Sequence, residues 1–137
     1  MPRMSQAEIE VFLKQPLVAV LSSKRKDGSL HSTPIWFEYE RGSFYLWVGR
    51  DSVKGRNVSR DPEVAVCIAT SSEPYQYVSA SGRAELTTDD LATRCLSIAR
   101  RYYEESRARV FVEKDLASND SVLLVLRPRR MSTEASA

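Results

Sequence analysis

The sequence predicts a mainly β fold of the α+β kind, an antiparallel barrel of six strands with helices on its flanks. Three observations carry this expectation. Short apolar runs rich in β-branched and aromatic residues recur along the chain, separated by turn residues such as Asp27-Gly28 and Glu40-Arg41-Gly42-Ser43. Only two or three stretches have helical spacing beyond the connections. Strand and helix do not alternate as in a doubly wound sheet, and no Gly-x-Gly-x-x-Gly occurs.

Taken in order, Ser5-Gln6-Ala7-Glu8 reads as a capping box, and Ile9, Phe12 and Leu13 give the helix it starts one apolar face. That helix must end before Pro16. Leu17 to Ser23 is a β-run expected to be buried on both sides. Asp27-Gly28 is a hairpin signal, and Leu30 to Tyr39 returns as the second strand. Pro34 inside it lacks a ladder donor, which implies an edge, a bulge or a place where the ladder opens and a ligand could use free backbone groups. Phe44 to Gly49 is apolar or aromatic on both faces and suits a central strand. Glu63 to Thr70 is the fourth strand and Tyr75 to Leu86 the fifth, with Gly82 marking a bulge or a close approach. Thr88-Asp89-Asp90 should cap a helix whose face is Leu91, Cys95, Ile98 and Tyr102. Arg107 to Leu116 reads as a short helix and Val122 to Leu126 as the last strand. Arg127-Pro128-Arg129-Arg130 should then be exposed, and the polar end from Met131 to Ala137 should fray.

The chain's 137 residues suffice for one domain, 1–137, with a single core. Twenty basic against 18 acidic residues leave a net charge of +2, too little to argue for nucleic acid or a membrane surface. No apolar run approaches the roughly 20 residues that span a bilayer. Met1 to Gln6 lacks the apolar region of a signal peptide, so the expected location is cytoplasmic. Cys67 and Cys95 lack ligand spacing and read as buried thiols; with one histidine in the chain, no metal site is expected.

The stretch from Arg50 to Pro62 is an oversized connection between two apolar runs. It carries Arg50, Lys54, Arg56 and Arg60, and Asp51-Ser52 can start a helix. A strand delivering a cationic helix N-terminus can hold a phosphate, since unpaired N–H groups and side-chain charge point the same way. The same residues could form a solvated surface helix.

In order and spacing, Val18 to Ser23, Asp27 to Phe37, Phe44 to Val48, Lys54-Gly55-Arg56-Asn57 with Arg60-Asp61-Pro62, Gly82 to Leu86 and Arg127 to Ser132 resemble the split-barrel flavin and deazaflavin proteins of the pyridoxamine 5′-phosphate oxidase-like superfamily. The resemblance runs from about Ala7 to Ser132. Lys-x-Arg-Asn followed by Arg-Asp-Pro is similar to the small branch that uses the deazaflavin coenzyme F420. The second strand has His31 to Trp36 where the oxidases proper carry Arg-x-x-x-x-Lys, and their substrate-binding C-terminal segment has no counterpart here, so oxidation of vitamin B6 is not expected.

The resemblance implies an FMN-binding split barrel that works as a homodimer with its cofactor at the protomer interface. Ser32, Thr33, Pro34, Ile35 and Trp36 would line the cofactor ring. Lys54 and Arg56 would hold the phosphate or acidic tail, Ser52 and Asn57 would assist, and Arg50 would be a further contact. The implied activity is an F420-dependent reductase passing a hydride to a small conjugated acceptor. The alternatives are an FMN-dependent oxidoreductase and a non-catalytic flavin or deazaflavin carrier; a nucleic-acid-binding barrel fits least. Trp36 and Trp47 read more simply as core or dimer-interface aromatics, and His31 as a polar strand residue. Tyr75 and Tyr77 could cover the ring from the partner chain or form a strand-start pair. No side chain is singled out as catalytic, which suits a protein whose cofactor carries the hydride.

Overall fold

A computed structural model of the chain describes residues 3–135. Its elements are α1 (Gln6–Phe12), β1 (Ala19–Lys24), β2 (Leu30–Ile35), β3 (Phe37–Glu40), β4 (Ser43–Gly49), α2 (Val53–Arg60), β5 (Glu63–Ala69), β6 (Gln76–Thr87), α3 (Leu91–Ala99), α4 (Glu105–Ser118), β7 (Ser121–Leu126) and β8 (Arg130–Ala135). The strands run β2-β1-β5-β6-β7-β4-β3, every pair antiparallel, with β8 beside β6. β2 and β3 are the two edges of that path, yet Trp36 alone separates them in sequence. The edges therefore meet at Trp36 and the sheet curls into a barrel. Away from that corner they part: among the described residues β2 pairs only with β1, and Trp47 to Gly49 of β4 pair only with β7. This is a split barrel.

Eight strands stand where six were expected. The second strand divides at Trp36 as it changes partner from β1 to β4, just past Pro34, which sits on an edge strand as its missing donor requires. The eighth strand corrects the frayed tail. β6 is twelve residues long, and β7 covers only Ala84 to Thr87 on one side. Residues 130–135 pair with the remainder, Gln76 to Ser81, and Thr133 is buried there, its Oγ1 accepting from the Met4 backbone N–H at 2.8 Å. Ser136 and Ala137 lie outside the described residues. Between β7 and β8 the chain crosses β6 at Gly82, where a Cβ would lie 3.1 Å from the Arg129 nitrogen, so the expected close approach is present.

The inward residues of β1, β4, β5, β6 and β7 alternate along each strand and form the barrel core around Phe37, Phe44, Leu21, Leu46 and Ile68. Helix α1, with its full capping box at Ser5 and Glu8, adds Ile9, Phe12 and Leu13. A second core lies outside the barrel, where Tyr45, Trp47 and Leu123 pack under Cys95, Ile98, Ala108 and Val112 of α3 and α4. Both faces of β4 are thus covered, as its composition predicts.

Five expectations need correcting. Val18 and Val20 are 48% and 41% exposed, so the first strand is buried on one side, with Ala19, Leu21 and Ser23 inward. Cys67, on the outward side of β5, is likewise exposed, whereas Cys95 is buried. Asp90 holds the N-terminus of α3 in a left-handed conformation (φ 54°) with no side-chain capping bond. That helix ends at Ala99, and Tyr102 lies beyond it. Helix α4 is longer than its apolar spacing suggests, because Glu104 caps it ahead of the first apolar residue. Arg101 and Tyr102 lock the corner of the barrel. The Arg101 guanidinium donates to the carbonyls of Phe37, Leu13, Lys14 and Gln15, and the Tyr102 hydroxyl donates to Leu17 O at 2.7 Å. No helix among the described residues is long and apolar enough to cross a membrane.

Candidate functional site

The connection after β4 folds as its sequence suggests. Ser52 caps α2: its Oγ accepts from Gly55 N–H at 3.2 Å and donates to Gly49 O at 2.7 Å. Gly55 lets this first turn lie directly on the end of β4; a Cβ there would collide with Gly49 O and stand 2.6 Å from Arg50 O. The helix ends at Asp61 before Pro62. Arg50 pairs with Asp120 at 3.1 Å, tying the strand end to the start of β7. Asn57 is buried and committed inward: its Nδ2 donates to Ser23 Oγ at 3.0 Å, and its Oδ1 accepts from Arg60 at 2.9 Å. Lys54 and Arg56 differ. Lys54 is half-buried, Arg56 is exposed, and neither side chain has a hydrogen-bond or ion-pair partner among the described residues.

Along β2 the side chains alternate. Ser32 and Pro34 face outward, and Ser32 Oγ lies 2.8 Å from Ser22 Oγ. His31, Thr33 and Ile35 face inward, where His31 Nδ1 and Thr33 Oγ1 are buried without a hydrogen-bond partner. Buried polar atoms are ordinarily satisfied, so two orphans on neighbouring inward positions of an unpaired edge mark where a ligand's polar groups fit.

Trp36 turns outward and stacks on Tyr102, centroids 4.7 Å apart. It lines a cavity of about 580 Å³ between β4 and α4, together with Trp47, Phe111 and Gly49. The cavity also reaches Asp51 and Ser52 at the head of α2, and Asp115 with residues 118–121 at the tail of α4. Of the ten residues expected to hold a cofactor, Trp36 and Ser52 therefore share one cavity. Ser32, Thr33, Pro34 and Ile35 lie along the open edge of β2, while Arg50, Lys54, Arg56 and Asn57 lie around α2 without lining that cavity. The sequence reading missed Phe111, Asp115 and Asp120. Phe111 and Asp115 are four apart on one helix face, which is legible. The bond that joins them to the site, from Trp47 Nε1 to Asp115 Oδ2 at 3.0 Å, spans 68 residues and is not.

A sequence profile described as pyridoxamine 5′-phosphate oxidase matches residues 5–134, and the chain belongs to that family. No curated protein sequence matches it. Among solved structures it is similar to a conserved hypothetical protein, Rv2991, from Mycobacterium tuberculosis. That match has 26% identity over 96% of this chain and 85% of the other, with a TM-score of 0.82. It is also similar to an F420 reductase, with 25% identity over 90% of this chain and 94% of the other and a TM-score of 0.71. A heme binding protein from Mycobacterium smegmatis shares the fold at 20% identity, covering 98% of this chain and 60% of that one with a TM-score of 0.69. The split barrel read from the sequence is thus the family's fold.

Proposed function

We propose that the chain is an F420-dependent reductase, acting as a single split-barrel domain and as a homodimer that completes the cofactor groove. The observation that carries this reading is the pairing of an open strand edge with two unengaged cations. The groove between β2 and the end of β4 offers unpaired backbone groups and the orphaned His31 Nδ1 and Thr33 Oγ1. At the head of α2, Lys54 and Arg56 have no partner to give up among the described residues. A point charge and a planar fork beside a helix N-terminus suit a phosphate or carboxylate tail. Gly55 and Ser52 fix that helix, and buried Asn57 anchors it to β1 through Ser23. The aspartates of the neighbouring cavity repel an anionic tail and so favour the ring at the Trp36 end of the groove, with the tail toward Lys54. Reduced F420 bound there would supply a hydride from C5 to an electron-poor, conjugated acceptor, which would take its proton from water and leave the cofactor oxidised. The likeness to an F420 reductase supports the deazaflavin. The family match supports FMN as the second reading, with N5 as the hydride donor.

Separate titrations of the purified protein with F420 and FMN, followed by absorbance and fluorescence, distinguish the two; the expected result is tighter binding of F420. Lys54→Ala should weaken that binding about ten- to hundredfold, the worth of one charge-assisted contact to an anion. Unchanged affinity for both cofactors would remove Lys54 from the site.

A further inference from the structure

We propose that the cavity between β4 and α4 binds the acceptor and selects a flat aromatic molecule that carries a positive charge or N–H donors, such as an amidine or a protonated amine. This deepens the reading above and rests on it only in taking the cavity's occupant to be the reductase's substrate; the charge preference belongs to the chain itself.

The walls set the shape. Trp36 and Trp47 flank Phe111, with centroids 5.4 and 5.6 Å from it, and a cavity of about 580 Å³ takes a molecule of one or two fused rings with its substituents. The lining sets the charge. It contains Asp51, Asp115 and Asp120 but no lysine, arginine or histidine. Asp120 is balanced by Arg50 at 3.1 Å. Asp51 has no ion-pair partner among the described residues. Asp115 takes three hydrogen bonds, all from neutral groups: Trp47 Nε1 at 3.0 Å, Ser121 Oγ at 2.7 Å and Asn119 Nδ2 at 2.9 Å. These hold the carboxylate in place without cancelling its charge. Its field reaches the second core, where burial first and Asp115 second push the Cys95 thiol up to about 12. Ser118 and Asn119, the last turn and C-cap of the fourteen-residue α4, add the partial negative charge of a helix C-terminus. Aromatic faces beside uncompensated carboxylates are the chemistry that recognises organic cations. Ser52 at the head of α2, Ser118, Asn119 and Ser121 add neutral donors, but the lining has no cationic side chain to pair with a carboxylate or phosphate.

Both tryptophans of the chain line this cavity, so their two indole N–H signals in a ¹H–¹⁵N correlation spectrum report its occupancy without cofactor or turnover. The probes are three molecules of one shape: 2-naphthamidine, 2-naphthamide and 2-naphthoate. The amidine should shift both indole signals and bind about tenfold more tightly than the amide, with the naphthoate weakest, and added salt should narrow the gap. Asp51→Asn, exposed and isosteric, should weaken the amidine by up to about fivefold and leave the amide unchanged. Equal binding of amidine and amide overturns the charge preference, and shifts confined to residues away from the indoles overturn the site. An F420 titration on the same sample separates the two readings. If the amidine preference holds while F420 does not bind, the cofactor reading falls and the cavity stands; the converse result removes the cavity alone.

Discussion

At Gly55 one missing carbon decides where a helix sits. Alanine is the better residue in a helix interior by about 0.5–1 kcal/mol, so propensity alone predicts that Gly55→Ala stabilises. Packing predicts the reverse. The added Cβ meets main-chain oxygens of Gly49 and Arg50, and backbone cannot turn aside as a flexible side chain does. α2 must lift from β4, which also stretches the Ser52 cap. The net expectation is a loss of about 1–3 kcal/mol, read as a lower urea midpoint, together with weaker F420 binding because Lys54 and Arg56 ride on the displaced helix. An unchanged or raised midpoint would show that α2 has room that the backbone contacts deny. The sequence shows Gly55 only as one letter of a family motif; nothing local distinguishes a helix glycine kept for close approach from a tolerated one. The capping role of Ser52, by contrast, is local and legible from the residues beside it.

Elements whose cause is local were readable in the same way. The box at Ser5 and Glu8, the Asp27-Gly28 turn with Gly28 at φ 88°, and the left-handed Arg41-Gly42 turn all follow from neighbouring residues. β8 was not readable, because Arg130 to Ala135 has no strong apolar alternation of its own and becomes a strand only where β6 outruns β7. The outward faces of β1 and β5 were misread for a related reason: Val18, Val20 and Cys67 look like core residues in sequence, and only the number of covering layers decides otherwise. Helix α4 extends beyond its apolar stretch because Glu104 accepts from the Arg107 backbone at 2.7 Å and from Ser106 Oγ at 2.6 Å. The Ser106 hydroxyl, then the backbone N–H groups of Arg107 and Ser106, hold the Glu104 carboxyl below its ordinary value. A depressed folded pKa means that the cap's contribution is complete above the unfolded value of about 4.3 and is lost as pH falls through the folded one. The first turn of α4 should therefore keep its helical ¹³Cα shifts from neutral pH to about pH 4 and lose them in stronger acid. Glu104→Ala should fray the turn at every pH and leave only the dependence that Glu105 brings, whose carboxyl the Arg100 guanidinium also holds below its ordinary value. Helical shifts that persist to about pH 2 in the native chain would mean that the carboxylate is not what holds the turn.

At the scale of the whole molecule the barrel is unfinished on one side. β2, β1 and β5, with Val18 just before β1, carry Leu30, Val18, Val20, Pro34 and Cys67 on an outward face that no helix among the described residues covers, with Leu30 66% exposed. The opposite sheet buries its outer face under α3 and α4, so the difference lies in layers and not in composition. A second copy supplies the missing layer if the protein is the dimer proposed above, and the open groove at β2 then lies beside the interface. Val20 and Cys67 are cross-strand neighbours, which provides both a disruption and a reporter. Val20→Arg puts a charge on a side chain already 41% exposed, so the single chain loses little, while a self-contact through that face must bury the guanidinium. Light scattering during size exclusion should give twice the chain mass for the native protein and the single mass for Val20→Arg. Cys67 should react slowly with an aromatic disulfide in the native protein and quickly in the variant, with Cys95, fully buried, silent in both. Desolvation raises the Cys67 thiol above its ordinary value, so the titration is run at alkaline pH. F420 affinity should fall with the mass, because the groove loses the wall that the partner provides. A variant that keeps the native mass, or a native chain that is already single with Cys67 freely reactive, would place the dimer elsewhere or remove it. F420 binding that survives in a monomeric variant would show that one chain holds the cofactor alone.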